Sequence, residues 1–179
     1  LARVLGPDKV IHGTISTVIG RRKAGDIVLD KLRGVGVAAG HALSEKLAAA
    51  LDGAYLNCCL YADAQDMKWS KMLSNLVANP TSAILDMTAA QIFANKDLHK
   101  IEIAMLSECL AVMKAQGIEV VNLPGIPVKV FVLAINLPLW LSRLFLRQIA
   151  GSGRGAKMPS FHIDLHSGRG KSEVGYLHG

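Results

Sequence analysis

Up to about Ala62, short runs of apolar and β-branched residues alternate with glycine: Lys9–Ser16, Asp26–Asp30, Val35–Ala38 and Ala54–Tyr61. Runs of this length bounded by turn formers predict strands. Between the last two lies His41–Leu51, whose Glu45, Lys46, Leu47 and alanines are good helix formers and predict a short helix. After Ala62 the strand signals stop. Asp63 is placed to cap a helix running to about Asn79, with Pro80 as its breaker, and a second helical stretch covers Thr88 to Gln116 and stops at Gly117. Ile126 to Ala150, after the turn Pro124-Gly125-Ile126-Pro127, reads as a buried core helix kinked at Pro138. Gly151 to Gly155 is a loop, and Pro159 to Leu165 opens a final segment. The pattern holds no internal repeat, so the fold class expected is an α/β fragment over 1–62 followed by an all-α domain over 63–179.

Composition narrows this picture. The chain has 179 residues, 51% of them hydrophobic and 19% charged, which excludes a disordered chain and leaves a folded globular protein. Its 20 Lys and Arg against 14 Asp and Glu give a net charge of +6. No basic run exceeds the triplet Arg21-Arg22-Lys23 and aromatics are 5%, so neither a basic stripe nor a stacking platform for nucleic acid is present, and small anionic ligands suit the field as well. Three cysteines, Cys58, Cys59 and Cys109, lack metal-type spacing and predict a reduced, cytoplasmic inventory. The longest uncharged run in the most apolar region, Val130 to Ser142, is 13 residues, against the ~20 that a bilayer span needs, so no membrane helix is expected. The opening Leu-Ala-Arg-Val-Leu carries no signal-peptide pattern and no initiator Met; a missing natural start is expected.

Three groups of residues could carry chemistry. Gly34-Val-Gly36-Val-Ala-Ala39-Gly40 matches G-x-G-x-x-A, in which glycines let a pyrophosphate approach a helix N-terminus. The acidic ribose partner of such a site would be Asp63, which is better used as a cap, and a glycine-rich strand and turn without ligand is the preferred reading. Lys71, Asn75 and Asn79, four apart, would fall within an ~80° arc of one helix, opposite an apolar stripe of Trp69, Leu73, Leu76 and Val77. Asn is a poor choice for a plain solvated face, and one ammonium with two neutral amides can protonate and orient a carbonyl. In the third group, His162 and His166 are four apart around Asp164; they could ligate a metal if helical, but no H-E-x-x-H pattern and no carboxylate ligand at the right offset accompanies them, so they are read as surface or satisfied histidines and no metal is assigned.

Together these segments resemble the ketopantoate reductase family (2-dehydropantoate 2-reductase): Lys68-Trp-Ser-Lys71, Asn75, Asn79-Pro80-Thr-Ser-Ala83, then Ser160-x-x-x-Asp164-Leu, Gly168-Arg169, Ser172-Glu173 and a closing Gly179, with Leu1 to Gly13 similar to the family's helix and strand. The resemblance covers nearly the whole chain. It implies the C-terminal part of a Rossmann-like NADP(H)-binding domain over 1–62 and a helical substrate and dimerisation domain, of the 6-phosphogluconate dehydrogenase C-terminal type, over 63–179. It implies NADPH-dependent reduction of a small anionic 2-keto acid, 2-dehydropantoate, to pantoate in pantothenate biosynthesis. Lys71 matches the family's proton donor, Asn75, Asn79 and Ser160 its substrate-binding positions, and Glu173 the acidic residue at the cofactor; Asp164 matches a recurring aspartate given a structural role. The family's phosphate-binding G-x-G-x-x-G and its Asn-Gly motif have no counterpart here, Gly34–Gly40 matching a later strand, so the chain alone is expected to be inactive. A further substrate Asn of the family would fall near Ala89, and the stretch from Asp164 to Glu173 is a residue longer than in common members. A related dehydrogenase acting on another 2-keto acid or forming an opine, and a non-catalytic helical dimerisation module, are the alternatives.

Overall fold

The computed structural model describes residues 1–154 and 158–166. The chain folds as two compact units, Leu1–Lys71 with Ile118–Lys129, and Met72–Gly117 with Val130–Gly179.

The first unit opens with a one-turn helix α1 (Ala2–Leu5) and a 3-10 turn at Pro7–Lys9, where the sequence pattern predicts a β-run from Lys9; strand β1 is only Gly13–Ile15. Pro7 sits at the start of that turn, where its missing N–H costs nothing, and draws the chain out of the extended form. Strands β2 (Val18–Lys23) and β3 (Asp26–Lys31) form an antiparallel ribbon closed at Gly25, whose φ of +77° suits the turn. β2 is hidden in the sequence because its Arg21-Arg22-Lys23 end shows as a charge cluster and not as an apolar run. Strand β4 (Val35–Ala38) pairs antiparallel with β1 and parallel with β5 (Cys58–Tyr61), and the crossover between the two parallel strands is helix α2 (Ser44–Gly53). This β-α-β unit is the sheet-and-helix part expected.

Asp63 accepts from the backbone N–H groups of Gln65 (2.5 Å) and Asp66 (3.3 Å) and so caps helix α3 (Ala64–Leu76), as its sequence position predicts. The first half of α3 is pinned within this unit. Lys68 Nζ donates to the Gly13 carbonyl (2.7 Å), Asp66 accepts from Glu119 N (2.8 Å), and Ser70 Oγ accepts from Val121 N (2.9 Å). Tyr61 donates to the Asn122 carbonyl (2.8 Å); burial first, then Cys59 and Cys58, push its phenol up to about 12. The strap 118–129 is therefore held by side chains more than 50 positions earlier in the chain.

The second unit is helical, and its helices are more broken than the sequence pattern predicts. The helix over 63–79 stops at Leu76, Ala78 takes a left-handed φ of +54°, and α4 (Asn79–Leu85) begins with Pro80 in its first turn. The reason is steric: in a continuing helix the Pro80 ring would strike the carbonyl four residues back, at Leu76, whereas the first turn of a new helix accepts it. Likewise, the single helix over Thr88 to Gln116 is two, α5 (Ala89–Ala94), with a Thr88/Gln91 capping box, and α6 (Lys96–Ala115), capped by Asn95 Oδ1 on Asp97 N and Leu98 N. Gly117, at φ +69°, ends it as predicted. Pro138 does more than kink the apolar stretch: α7 (Val128–Ile135) ends before it and α8 (Leu139–Arg154) starts after it, running on through Gly151 to Arg154 where the glycine pattern predicts a loop. Nor is that stretch wholly buried, since Trp140 is 69% exposed while Val128, Ala134, Ile135 and Leu146 are in the core. Helix α9 (Ser160–His166) packs on α4, and α8 packs on α5 and α6. Phe93, Leu73, Ile92, Leu106, Met113 and Leu146 are fully buried. Among the described residues, no helix is long and apolar enough to cross a membrane.

Candidate functional site

The glycine-rich segment is explained by packing. Gly34 has φ +142°, and a Cβ there would lie 2.4 Å from the Asn57 carbonyl oxygen and 2.5 Å from Pro124 Cβ. At Gly36 it would meet Tyr61 Cε2 at 2.8 Å and Met67 Sδ at 2.9 Å, which is how closely α3 approaches the sheet. Close packing against neighbouring protein atoms thus accounts for both glycines, which precede or lie inside β4. Gly40, at φ +94° with nothing near it, is a turn residue.

Lys71 and Asn75, both half-buried, lie one turn apart on α3. Asn79 does not continue their face, because the chain turns at Ala78 before α4 begins. It is 4% exposed, and its Oδ1 accepts from the Phe161 backbone N–H at 3.2 Å. That bond seats the first turn of α9 on α4, and α9 begins at Ser160; Asn79 and the Ser160 backbone, far apart in sequence, are thereby neighbours. Glu173 lies outside the described residues.

A residue that spacing alone does not reveal organises this corner. Glu102, on α6 and 0% exposed, accepts from Ala78 N (2.8 Å) and from the Thr81 hydroxyl, so it satisfies the start of α4 from a distance. An N-terminal cap supplied from another helix has no local signature, unlike Asp63 or Thr88. Burial pushes the Glu102 carboxyl up, and its hydrogen bonds to Thr81 and Ala78 pull against that. All three cysteines are free thiols; burial raises Cys109, and burial, Cys59 and Asp52 raise Cys58, which does not favour either as a nucleophile.

The fold is shared with dehydrogenases of known structure. A ketopantoate reductase of the PanE/ApbA family from Ralstonia eutropha JMP134 matches with a TM-score of 0.75 at 18% identity, over 98% of this chain and 52% of that one. D-mandelate dehydrogenase in complex with NADH matches at 0.71 and 19% identity, over 95% and 57%. A dimeric ketopantoate reductase from Staphylococcus aureus matches at 0.67 and 16% identity, over 94% and 52%. The chain thus spans a little over half the length of each. The sequence pattern of the C-terminal part of ketopantoate reductase PanE/ApbA matches residues 63–179, and the chain belongs to that family. No curated protein matches the sequence.

Proposed function

We propose that the chain is the substrate-side part of an NADPH-dependent 2-keto acid reductase that converts 2-dehydropantoate to pantoate in pantothenate biosynthesis, its residues 1–62 completing a Rossmann-like domain and 63–179 forming a helical domain of the 6-phosphogluconate dehydrogenase C-terminal type. The family match over 63–179 carries this reading, and Lys71, Asn75, Asn79 and Ser160, the positions assigned by resemblance, fall inside that range. The nicotinamide, when bound, supplies hydride to the keto carbon. This chain's part is then to neutralise the charge that builds on the carbonyl oxygen: the Lys71 ammonium donates one proton there, leaving a neutral amine and the product hydroxyl. The Asn75 and Asn79 amides orient the substrate's oxygens, and the Ser160 hydroxyl binds its carboxylate or hydroxyl. Because the Oδ1 of Asn79 accepts from Phe161 N, the role assigned here to Asn79 is that of its NH2 as a donor. Glu173 is assigned to the cofactor and to fixing the Lys71 ammonium. The net charge of +6 suits an anionic substrate.

The likeness to D-mandelate dehydrogenase favours, as a second reading, the same chemistry on a different 2-keto acid. A homodimer through the helical domain is further proposed, supported by the exposed Trp140 and Leu144 one turn apart on α8 and by the dimeric structural relative. The test is NADPH oxidation with a panel of 2-keto acids, on the protein together with whatever sequence is encoded upstream of Leu1. Lys71→Ala should cut kcat by ~10²–10⁴-fold. Near-normal turnover of that variant would overturn the assignment, and preference for another keto acid over 2-dehydropantoate would select the second reading. Ser160→Ala and Asn75→Ala should weigh mainly on KM.

A further inference from the structure

We propose that Asp86, His162 and His166 form a binding site for a divalent transition-metal ion of the zinc class, separate from the residues assigned to the reductase chemistry. His162 and His166 are on one face of α9, and a carboxylate placed to join them, Asp86, comes from the turn after α4. The three donor atoms lie within 4.8 Å of one another. His162 Nε2 is 2.6 Å from Asp86 Oδ1, and the two imidazoles stack with centroids 4.2 Å apart.

Two borderline nitrogens and one oxygen select zinc, nickel or copper over magnesium and calcium, which prefer all-oxygen sets. Donors bound to one tetrahedral zinc at ~2.0–2.2 Å sit ~3.3 Å apart, so the ligands must adjust by about an ångström. Asp86 and His166 are exposed and can make that movement. The scaffold beneath them is fixed. Asp86 itself occupies a left-handed conformation at φ +53°, Ser82 Oγ donates to the next carbonyl, that of Met87 (2.6 Å), and Thr88 begins the capping box of α5. On the other side, Asn79 holds the first turn of α9 on α4. A surface histidine-aspartate pair would account for Asp86 and His162 but leaves the placement of His166 unexplained. Among the described residues three side chains supply ligands, and a bound ion would fasten α9 to the α4 turn.

Calorimetric titration of the metal-free, untagged protein with zinc chloride tests this. One ion per chain should bind, magnesium should not, and Asp86→Asn or His166→Ala should each weaken zinc binding by ~10-fold or more. Asparagine tolerates the left-handed conformation, and His166 is an exposed residue ending its helix, so circular dichroism should be unchanged in both variants. Cobalt substitution gives a second readout. A tetrahedral visible spectrum lost in His166→Ala supports the site, whereas a thiolate-to-cobalt charge-transfer band that persists in His166→Ala places the ion at the cysteines and overturns it. No zinc binding at ~100 µM, a concentration tenfold or more above a useful site's Kd, overturns it too.

Discussion

Glu102 shows how much a single side chain can decide. It is wholly buried and holds the start of α4 through Ala78 N and Thr81. Glu102→Ala leaves the Ala78 N–H unpaired beside a new cavity, and a loss of ~3 kcal/mol is expected in urea unfolding. Glu102→Gln keeps an acceptor for Ala78 and a donor for the Thr81 oxygen while removing the charge. Because burial raises the carboxyl above its ordinary value of 4.5, the native state binds a proton more readily than the unfolded one. This group's contribution is therefore full below pH 4.5 and is lost as pH rises through its folded pKa. Glu102→Gln should remove that loss, gaining on the parent protein as pH rises. His99, one turn earlier and 1% exposed, acts in the opposite sense. Among the described residues neither of its ring nitrogens meets hydrogen-bond geometry. Burial and then Arg143 lower its pKa, with the nearby Leu139 backbone offsetting part of the shift. The stability it contributes is complete above its ordinary value of 6.5 and is lost as pH falls from there through the folded pKa. Urea midpoints of His99→Leu at pH 5 and 7.5 should show a smaller acid loss than the parent; an unchanged slope would contradict the assignment.

At the scale of elements, the three glycines of the G-x-G-x-x-A-G run separate a packing role from a ligand role. Gly34→Ala drives a Cβ into the Asn57 carbonyl and should cost more than ~3 kcal/mol, enough to abolish a folded first unit. Gly40→Ala meets open space and bears only backbone strain of ~1–2 kcal/mol. Thermal unfolding of the two variants checks this without any cofactor. The seat of α9 is tested by Asn79→Ala, which removes the acceptor of Phe161 N and should speed exchange of that amide ~10-fold, while Asn79→Asp keeps the acceptor and the protection. These elements also show what sequence patterning reveals. Asp63, Thr88 and Gly117 mark helix ends locally, and β4, α2 and β5 read directly from apolar runs and good helix formers. Pro80 and Pro138 are legible as disruptions, but the pattern does not say whether a proline bends a helix or starts a new one. That outcome depends on what satisfies the freed backbone groups. At Ala78 the answer is Glu102, 24 residues on. The Lys71-Asn75-Asn79 face assumes one continuous helix and therefore loses its third member, which instead meets Phe161, a contact no local pattern encodes.

For the whole molecule, the family pattern covers 63–179, and the chain spans a little over half the length of its structural relatives, so the whole reductase activity stays a proposal for it. The exposed Trp140 (69%) and Leu144 (58%), one turn apart on α8, are the surface on which the proposed homodimer rests. Light scattering should report a dimer at micromolar concentration, and Trp140→Glu should shift it toward monomer with its circular dichroism unchanged; a monomer at all concentrations would remove the homodimer proposal. The division of the chain carries a consequence for how it is made. The strap 118–129 belongs to the first unit, so the backbone passes from one unit to the other three times, at 71/72, 117/118 and 129/130. A ribosome delivering the protein from its N-terminus cannot finish the first unit before much of the second has emerged, because Tyr61, Asp66 and Ser70 wait for Asn122, Glu119 and Val121. The two units are therefore born interlaced, and a nascent chain arrested after Gly117 should be cut by protease within α3 far faster than one arrested after Lys129.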